Sequence, residues 1–425
     1  MYRSANPNVN HPKRQFFLPN RDSLGKLILT PLDWLDKVEF IVLNYVVFLA
    51  EPSMTQLIGM NRRRFLAGFT AAASVGYGLT QLANAKTTQE SANQQEVGSQ
   101  EQQTAAEATA KTLIDKPAQA AINRGLKFLV NRQIKSGPER GGFGSSGYEC
   151  GVAVASLSGL AMMCGGSAPG DGPYGDEVNR CVDFVLQHVN EAGYIARSDG
   201  KARENMYGHG FSMLFLSEAY GMTQKSEIAE KLRKAVNLTC NTQNSQGGWR
   251  YGPSKQPSAD LSITVCQIMG LRAARDAGIH VSDEVRAKCI EYVKNSQNEN
   301  GSFRYQMSGG HSTFAMTAAG ITSLYSAGIY DSEQVKKGLE NLASQQPGKG
   351  TQSGHYFYGH YYAVQAMWHA GGEYWQNWYP AIRDELIKRQ ATDGSWSGTG
   401  GPSYGAAMAC IILQIPLNFL PVFSP

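Results

Sequence analysis

A chain of 425 residues with 39 basic and 35 acidic side chains carries a formal net charge of only +4, and no basic aromatic cluster accompanies it. That balance argues against a nucleic-acid binder. Seven cysteines, at 150, 164, 181, 240, 266, 289 and 410, show no paired short spacing of zinc type. Their odd number excludes a complete disulfide framework and leaves buried thiols as the expectation.

In chain order, residues 1–59 read as a gene-model extension or a disordered stretch. The apolar run Val38–Ala50 within them is shorter than the roughly 20 residues a membrane span needs. Residues 60–85 then run through Arg62-Arg63-Arg64, Phe65-Leu66, a weakly apolar run and the small-residue exit Ala83-Asn84-Ala85. This order resembles a twin-arginine signal peptide and predicts an exported protein, periplasmic or secreted. An arginine-flanked amphipathic helix is the alternative. Residues 86–116, rich in Gln, Glu, Ala and Thr, read as a disordered linker.

From residue 117 to 425 the sequence repeats itself. Gln243…Gly247-Gly248-Trp249 is matched by Gln297…Gly301-Ser302-Phe303 and Gln390…Gly394-Ser395-Trp396, and more loosely from Gln133. Internal repetition fixes an architecture before any residue chemistry enters. Two kinds of helical segment alternate. One is amphipathic, as in Val178, Cys181, Val182, Val185 and Val189, or Val335, Leu339 and Leu342. Ser226, Ser282 and Ser332 each precede an acid and read as caps for three of these helices. The other kind is apolar nearly all round: 152–164, 211–221, 261–274, 313–327, 361–370 and 406–415. Gly165, Gly278, Gly328 and Gly371 are expected to close four of them in the left-handed conformation.

The aromatics after the glycine turns, Phe143, Tyr194, Trp249, Phe303 and Phe357, lie 51, 55, 54 and 54 residues apart, and Trp396 follows after 39. Six such pairs predict an all-α fold, an α/α toroid with an outer amphipathic ring around an inner apolar one. The last inner segment runs on into the apolar tail Ile411–Phe423, which favours a closed ring over an open solenoid.

The Gln-spacer-Gly-x-aromatic motifs resemble the QW repeats of squalene and other triterpene cyclases. Their superfamily includes the protein prenyltransferase β subunits and shares the α/α toroid. The resemblance covers roughly residues 117–415 and implies a central apolar cavity for an isoprenoid or other lipid. It departs at the acid motif. Where those cyclases carry Asp-x-Asp-Asp, this chain reads Asp260-Leu261-Ser262-Ile263, keeping the first acid alone. The zinc ligands of prenyltransferases find no intact match around His355–Tyr362.

Heads of inner helices converge on such a cavity, with their unpaired amides and dipoles. Asp260 is therefore the candidate catalytic residue, with a helix cap as its alternative. Tyr148, Tyr207, His209, His311, Tyr358, His360 and Tyr404 are the candidate substrate-binding residues. A metal is a candidate cofactor, with His209, His311 and His360 as its ligands beside Asp260; otherwise these histidines cap helices. The expected partner is an apolar small molecule, with peripheral membrane contact a further candidate and nucleic acid excluded. The alternatives are a non-catalytic structural or protein-interaction toroid with a filled cavity, and a glycan-active or metal-dependent enzyme.

Overall fold

The computed structural model of the protein describes residues 113–348 and 355–424. The expected signal at 60–85, the run at 38–50 and most of the 86–116 linker lie outside the described residues. Among the described residues twelve α-helices follow one another in six pairs. Outer helices are α1 (Lys116–Arg132), α3 (Gly175–Gln187), α5 (Ser226–Thr242), α7 (Asp283–Asn295), α9 (Glu333–Ala343) and α11 (Gly372–Arg389). Inner helices are α2 (Val152–Cys164), α4 (Met206–Thr223), α6 (Leu261–Asp276), α8 (Phe314–Ser326), α10 (Tyr356–Ala370) and α12 (Pro402–Gln414). A hairpin of β1 (Arg304–Gln306) and β2 (Gly309–Ser312) interrupts the fourth pair. None of the described helices is long and apolar enough to cross a membrane.

The two helix types take the places their surfaces require. Outer α9 buries Val335, Gly338, Leu339 and Leu342 on one stripe, whereas every residue of inner α2 except Ala153 is buried. Each inner helix packs on the next, and α12 packs on both α2 and α1, so the ring closes. A fully buried Leu, Val or Phe contributes roughly 1.5–3 kcal/mol, so these apolar walls are the principal source of stability.

The repeat motif is a joint between units. Gln243 donates its side-chain amide to the Gly247 carbonyl and to the Val285 carbonyl of α7, both at 2.8 Å. Gln297 does the same to Gly301 (3.1 Å) and to Gln334 of α9 (2.8 Å). Gln390 reaches Gly394 (3.0 Å) and Ala121 of α1 (2.9 Å), which makes the last joint the seam of the ring. The turn glycine meets the next outer helix closely: at Gly301, where φ is +82°, an added Cβ would lie 2.1 Å from the Lys337 carbonyl oxygen. Trp249 and Trp396 each donate their indole N–H to a carbonyl of the preceding outer helix at 2.8 Å.

Local expectations need correction. Ser226 lies inside α5, and Ser282 occupies the cap position of α7 without a side-chain bond; Ser332 alone caps as expected, to Val335 N at 3.2 Å. After α2 the left-handed residue is Gly166, not Gly165. Phe357 stands within α10 and is no turn aromatic. The tail past α12 folds back over the ring through two 3₁₀ turns, Ile415–Leu417 and Pro421–Phe423, which bury Val422 and Phe423.

Candidate functional site

Carboxylates at the helix heads work as caps around the ring. Glu204, just before α4, accepts the Val152 N–H that opens α2 at 3.0 Å. Glu149, just before α2, accepts the Ser403 N–H and hydroxyl that open α12 at 3.2 and 2.6 Å. Each supplies an acceptor to amides that have no partner inside their own helix.

Asp260 occupies the cap position of α6 without a side-chain cap bond, and it is fully buried. Its Oδ2 accepts from Arg250 Nε at 3.1 Å, and its Oδ1 from the Gln306 amide of the hairpin at 2.6 Å. Tyr251 and Tyr305, the sequence neighbours of Arg250 and Gln306, join their hydroxyls at 2.6 Å. Arg250, Gln306 and this tyrosine pair were missed from the sequence, although a signal was present. Trp249-Arg250-Tyr251 and Phe303-Arg304-Tyr305 are the same aromatic-Arg-Tyr triad in successive units.

Tyr207 and Tyr358 come together, their rings edge to face with centroids 5.8 Å apart. Tyr358 donates its hydroxyl to the Ser262 carbonyl across the ring at 2.5 Å. Deeper along the axis, the Tyr362 hydroxyl meets Cys266 Sγ at 3.1 Å, and Phe211 packs edge-on against Tyr361 at 5.8 Å. Burial raises Tyr207 and Tyr358 far above the ordinary phenol range, and the Cys266 thiol up to about 12. These groups are neutral hydroxyls and thiol. The open apolar cavity expected along the axis is therefore occupied by the protein's own side chains, because aromatics on facing inner helices reach across to one another.

A pocket of about 190 Å³ remains at the rim, between the heads of α10 and α12, with walls formed by Tyr356, Phe357, Tyr358, Tyr404 and Arg389. Tyr358 and Tyr404 thus do share a site, with Tyr207 against the Tyr358 ring. Tyr148 and the three histidines do not join them. Tyr148 is 51% exposed, with the Arg203 guanidinium over its ring, and His311 is exposed on β2. His209 and His360 turn outward from the axis, since their positions on α4 and α10 face the outer ring. His209 accepts from Ile195 N at 3.2 Å and bonds Thr239 of α5 at 2.8 Å. His360 packs against Phe314 and Trp378 of α11, with centroids 4.9 and 6.2 Å away. Burial lowers His209 to about 4 and His360 to about 3, the latter helped by Arg389. The three histidines of the candidate metal set share no site, and among the described residues no group of three His, Cys, Asp or Glu could hold a metal ion.

What this constellation offers chemically is donors and apolar walls. Arg250 and Gln306 engage one oxygen each of Asp260 and fix its side chain in place.

A closed ring of six helix pairs, with Gln–Gly–aromatic joints, defines an α/α toroid. Within it, residues 212–362, from α4 into α10, match the family model of the squalene-hopene cyclase C-terminal domain. Solved toroids of several activities share the fold. The type II terpene cyclase MstE from Scytonema, in complex with merosterolic acid A, matches with a TM-score of 0.51 at 13% identity, covering 72% of this chain and 98% of that chain. The cellobiose 2-epimerase from Spirochaeta thermophila matches at 0.54 and 13%, covering 73% and 98%. An α-amylase from Clostridium perfringens matches at 0.51 and 11%, covering 69% and 97%. At such identities these likenesses establish the fold and not the chemistry.

Proposed function

We propose that this protein is a binding toroid and not a cyclase: it holds an apolar small molecule of isoprenoid type at the rim pocket and leaves it chemically unchanged. The observation that carries this reading is the filled axis. A polyene folded for cyclisation needs the space that Tyr358, Tyr361, Tyr362 and Phe211 occupy. The pocket of about 190 Å³ falls below the roughly 300 Å³ where ligand sites begin, and suits the end of a chain. Support for the isoprenoid class comes from the squalene-hopene cyclase match and from the complexes of MstE with geranylgeranyl dihydroxybenzoate. Export by the twin-arginine route is part of the proposal, resting on the order of charge, apolar run and small-residue exit in residues 60–85.

The test is titration with geranylgeraniol, followed by extraction and product analysis. Saturable binding is expected, weakened about tenfold in Tyr404→Ala by loss of one aromatic wall, with the alcohol recovered intact. Cyclised product would overturn the binding-only reading. Absence of saturable binding would favour a structural toroid, a second reading that the same filled axis supports.

A further inference from the structure

On the outer wall, where α9, α10 and α11 meet, lies a second pocket of about 290 Å³. It is larger than the rim pocket and stands at the roughly 300 Å³ where ligand sites begin. Met367 of α10 and Trp378 of α11 line it and are at most 1% exposed, so they form its floor. Ala343 of α9 and Tyr374 of α11 are half-buried walls. Glu373 and Asn377, both exposed, stand at the lip.

Two observations give this pocket a chemistry. The first is an open donor at the floor. Trp249 and Trp396 each donate their indole N–H to a backbone carbonyl, but the buried Nε1–H of Trp378 has no acceptor among the described residues. Stacking on Phe314, with centroids 6.0 Å apart and 11° between the planes, holds that indole in place. Buried donors in folded proteins are as a rule paired, so one left open beside a cavity calls for an oxygen from outside the chain. The second observation is charge. Glu373 is the one charged side chain among the described lining residues, and no Lys, Arg or His accompanies it. Aromatic rings, a thioether and a carboxylate together favour a cation over an anion.

We propose that this outer pocket binds a small amine, with its ammonium at Glu373, an apolar or aromatic body between Met367 and Tyr374, and an ether or carbonyl oxygen accepting from Trp378. The order of these groups follows from burial. The donor lies on the floor and the carboxylate at the lip, so the ligand enters oxygen first and keeps its cation at the solvent edge, where hydration is retained. A plain hydrocarbon chain would leave both polar groups unused, and an anion would meet Glu373 with no cation to offset it. The pocket shares no lining residue with the rim pocket, so this site stands or falls separately from the isoprenoid reading.

The test is calorimetric titration at neutral pH with 4-methoxyphenethylamine, which carries an ammonium, an aromatic body and an ether oxygen. Saturable binding is expected. Phenethylamine, which lacks the ether oxygen, should bind about fivefold more weakly. The carboxylate analogue 4-methoxyphenylacetate should not saturate. Glu373→Gln should weaken the methoxy amine about fivefold. In Trp378→Phe the preference for the methoxy amine over phenethylamine should vanish, because the indole donor alone distinguishes the two ligands. Should Trp378→Phe fail to fold, Glu373→Gln, at the exposed lip, decides alone. Absence of saturable binding, an affinity unaltered by Glu373→Gln, or a preference that persists in Trp378→Phe overturns the proposal. Loss of binding in Tyr404→Ala would do the same, by placing the amine in the rim pocket.

Discussion

His209 and His360 are core residues whose chemistry lies in staying neutral. Their lowered values, about 4 and about 3 against an ordinary 6.5, mean that the unfolded chain takes up protons near pH 6 that the folded ring refuses. Stability from these two histidines is complete above about 6.5 and is lost as pH falls towards 4. His369, lowered by burial to about 3, acts in the same sense, and Glu218, pushed up by burial to about 7, works in the opposite one, so it is one group against three. The expected balance is a net loss on the order of 6 kcal/mol between pH 8 and pH 4. Urea unfolding across that range measures it, and His360→Phe should remove close to half of the slope. A stability that is flat or rises towards pH 4 would contradict these assignments. The twin Tyr-Gly-His motifs were plain in the sequence, yet the direction of their side chains was not. A residue two places into an inner helix sits near the mouth in sequence terms, but a helix turns 100° per residue, and both imidazoles end against the outer ring.

Among the elements, the joint of glutamine, glycine and aromatic ring carries the regularity of the fold. The amide bridges its own turn and the first turn of the next outer helix, and the glycine allows the contact. Gly301→Ala places a methyl 2.1 Å from a carbonyl oxygen at a left-handed φ, so the turn must shift. A loss of about 2–4 kcal/mol is expected in chemical denaturation. Gln297→Ala, which leaves the Gln334 carbonyl short of a donor, should cost about 1–2 kcal/mol. If the glycine variant proves no less stable, the close approach is not what selects the residue. Helix type and number were legible because the 3.6-residue period survives any tertiary context. The hairpin Arg304–Ser312 was not, since its short strands lack an alternating pattern and its burial is mostly on the surface. Caps were legible only in part: Ser332 caps locally, whereas Glu149 and Glu204 cap helices distant in the chain, and no local pattern announces that.

For the whole molecule, closure was read correctly from six pairs and an apolar tail, but the state of the axis could not be. Tyr358, Tyr361, Tyr362, Phe211 and Cys266 are each typical of an inner helix. Whether they line a space or fill it depends on ring diameter, which no periodicity encodes. The seam, where α12 meets α1 and α2, is held by Gln390, by apolar packing and by Glu149 at the Ser403 head. Glu149→Ala should cost about 1–3 kcal/mol by leaving the head of α12 uncapped. Hydrogen exchange should then report faster opening in the first turn of α12 than in the internal α6. Uniform exchange in both helices would mean that the seam is no weaker than the rest.

The seam uses the same amide bridge and the same glycine contact as the interior joints, although 269 residues separate Gln390 from Ala121. Structurally the ring therefore has no first unit. A chain permuted to begin at an interior joint, with the old termini linked, meets the same set of contacts in another order, and only the sequence distance across one joint changes. Folding kinetics should feel that exchange through loop closure, while the equilibrium stability of the circle should scarcely notice where it was cut.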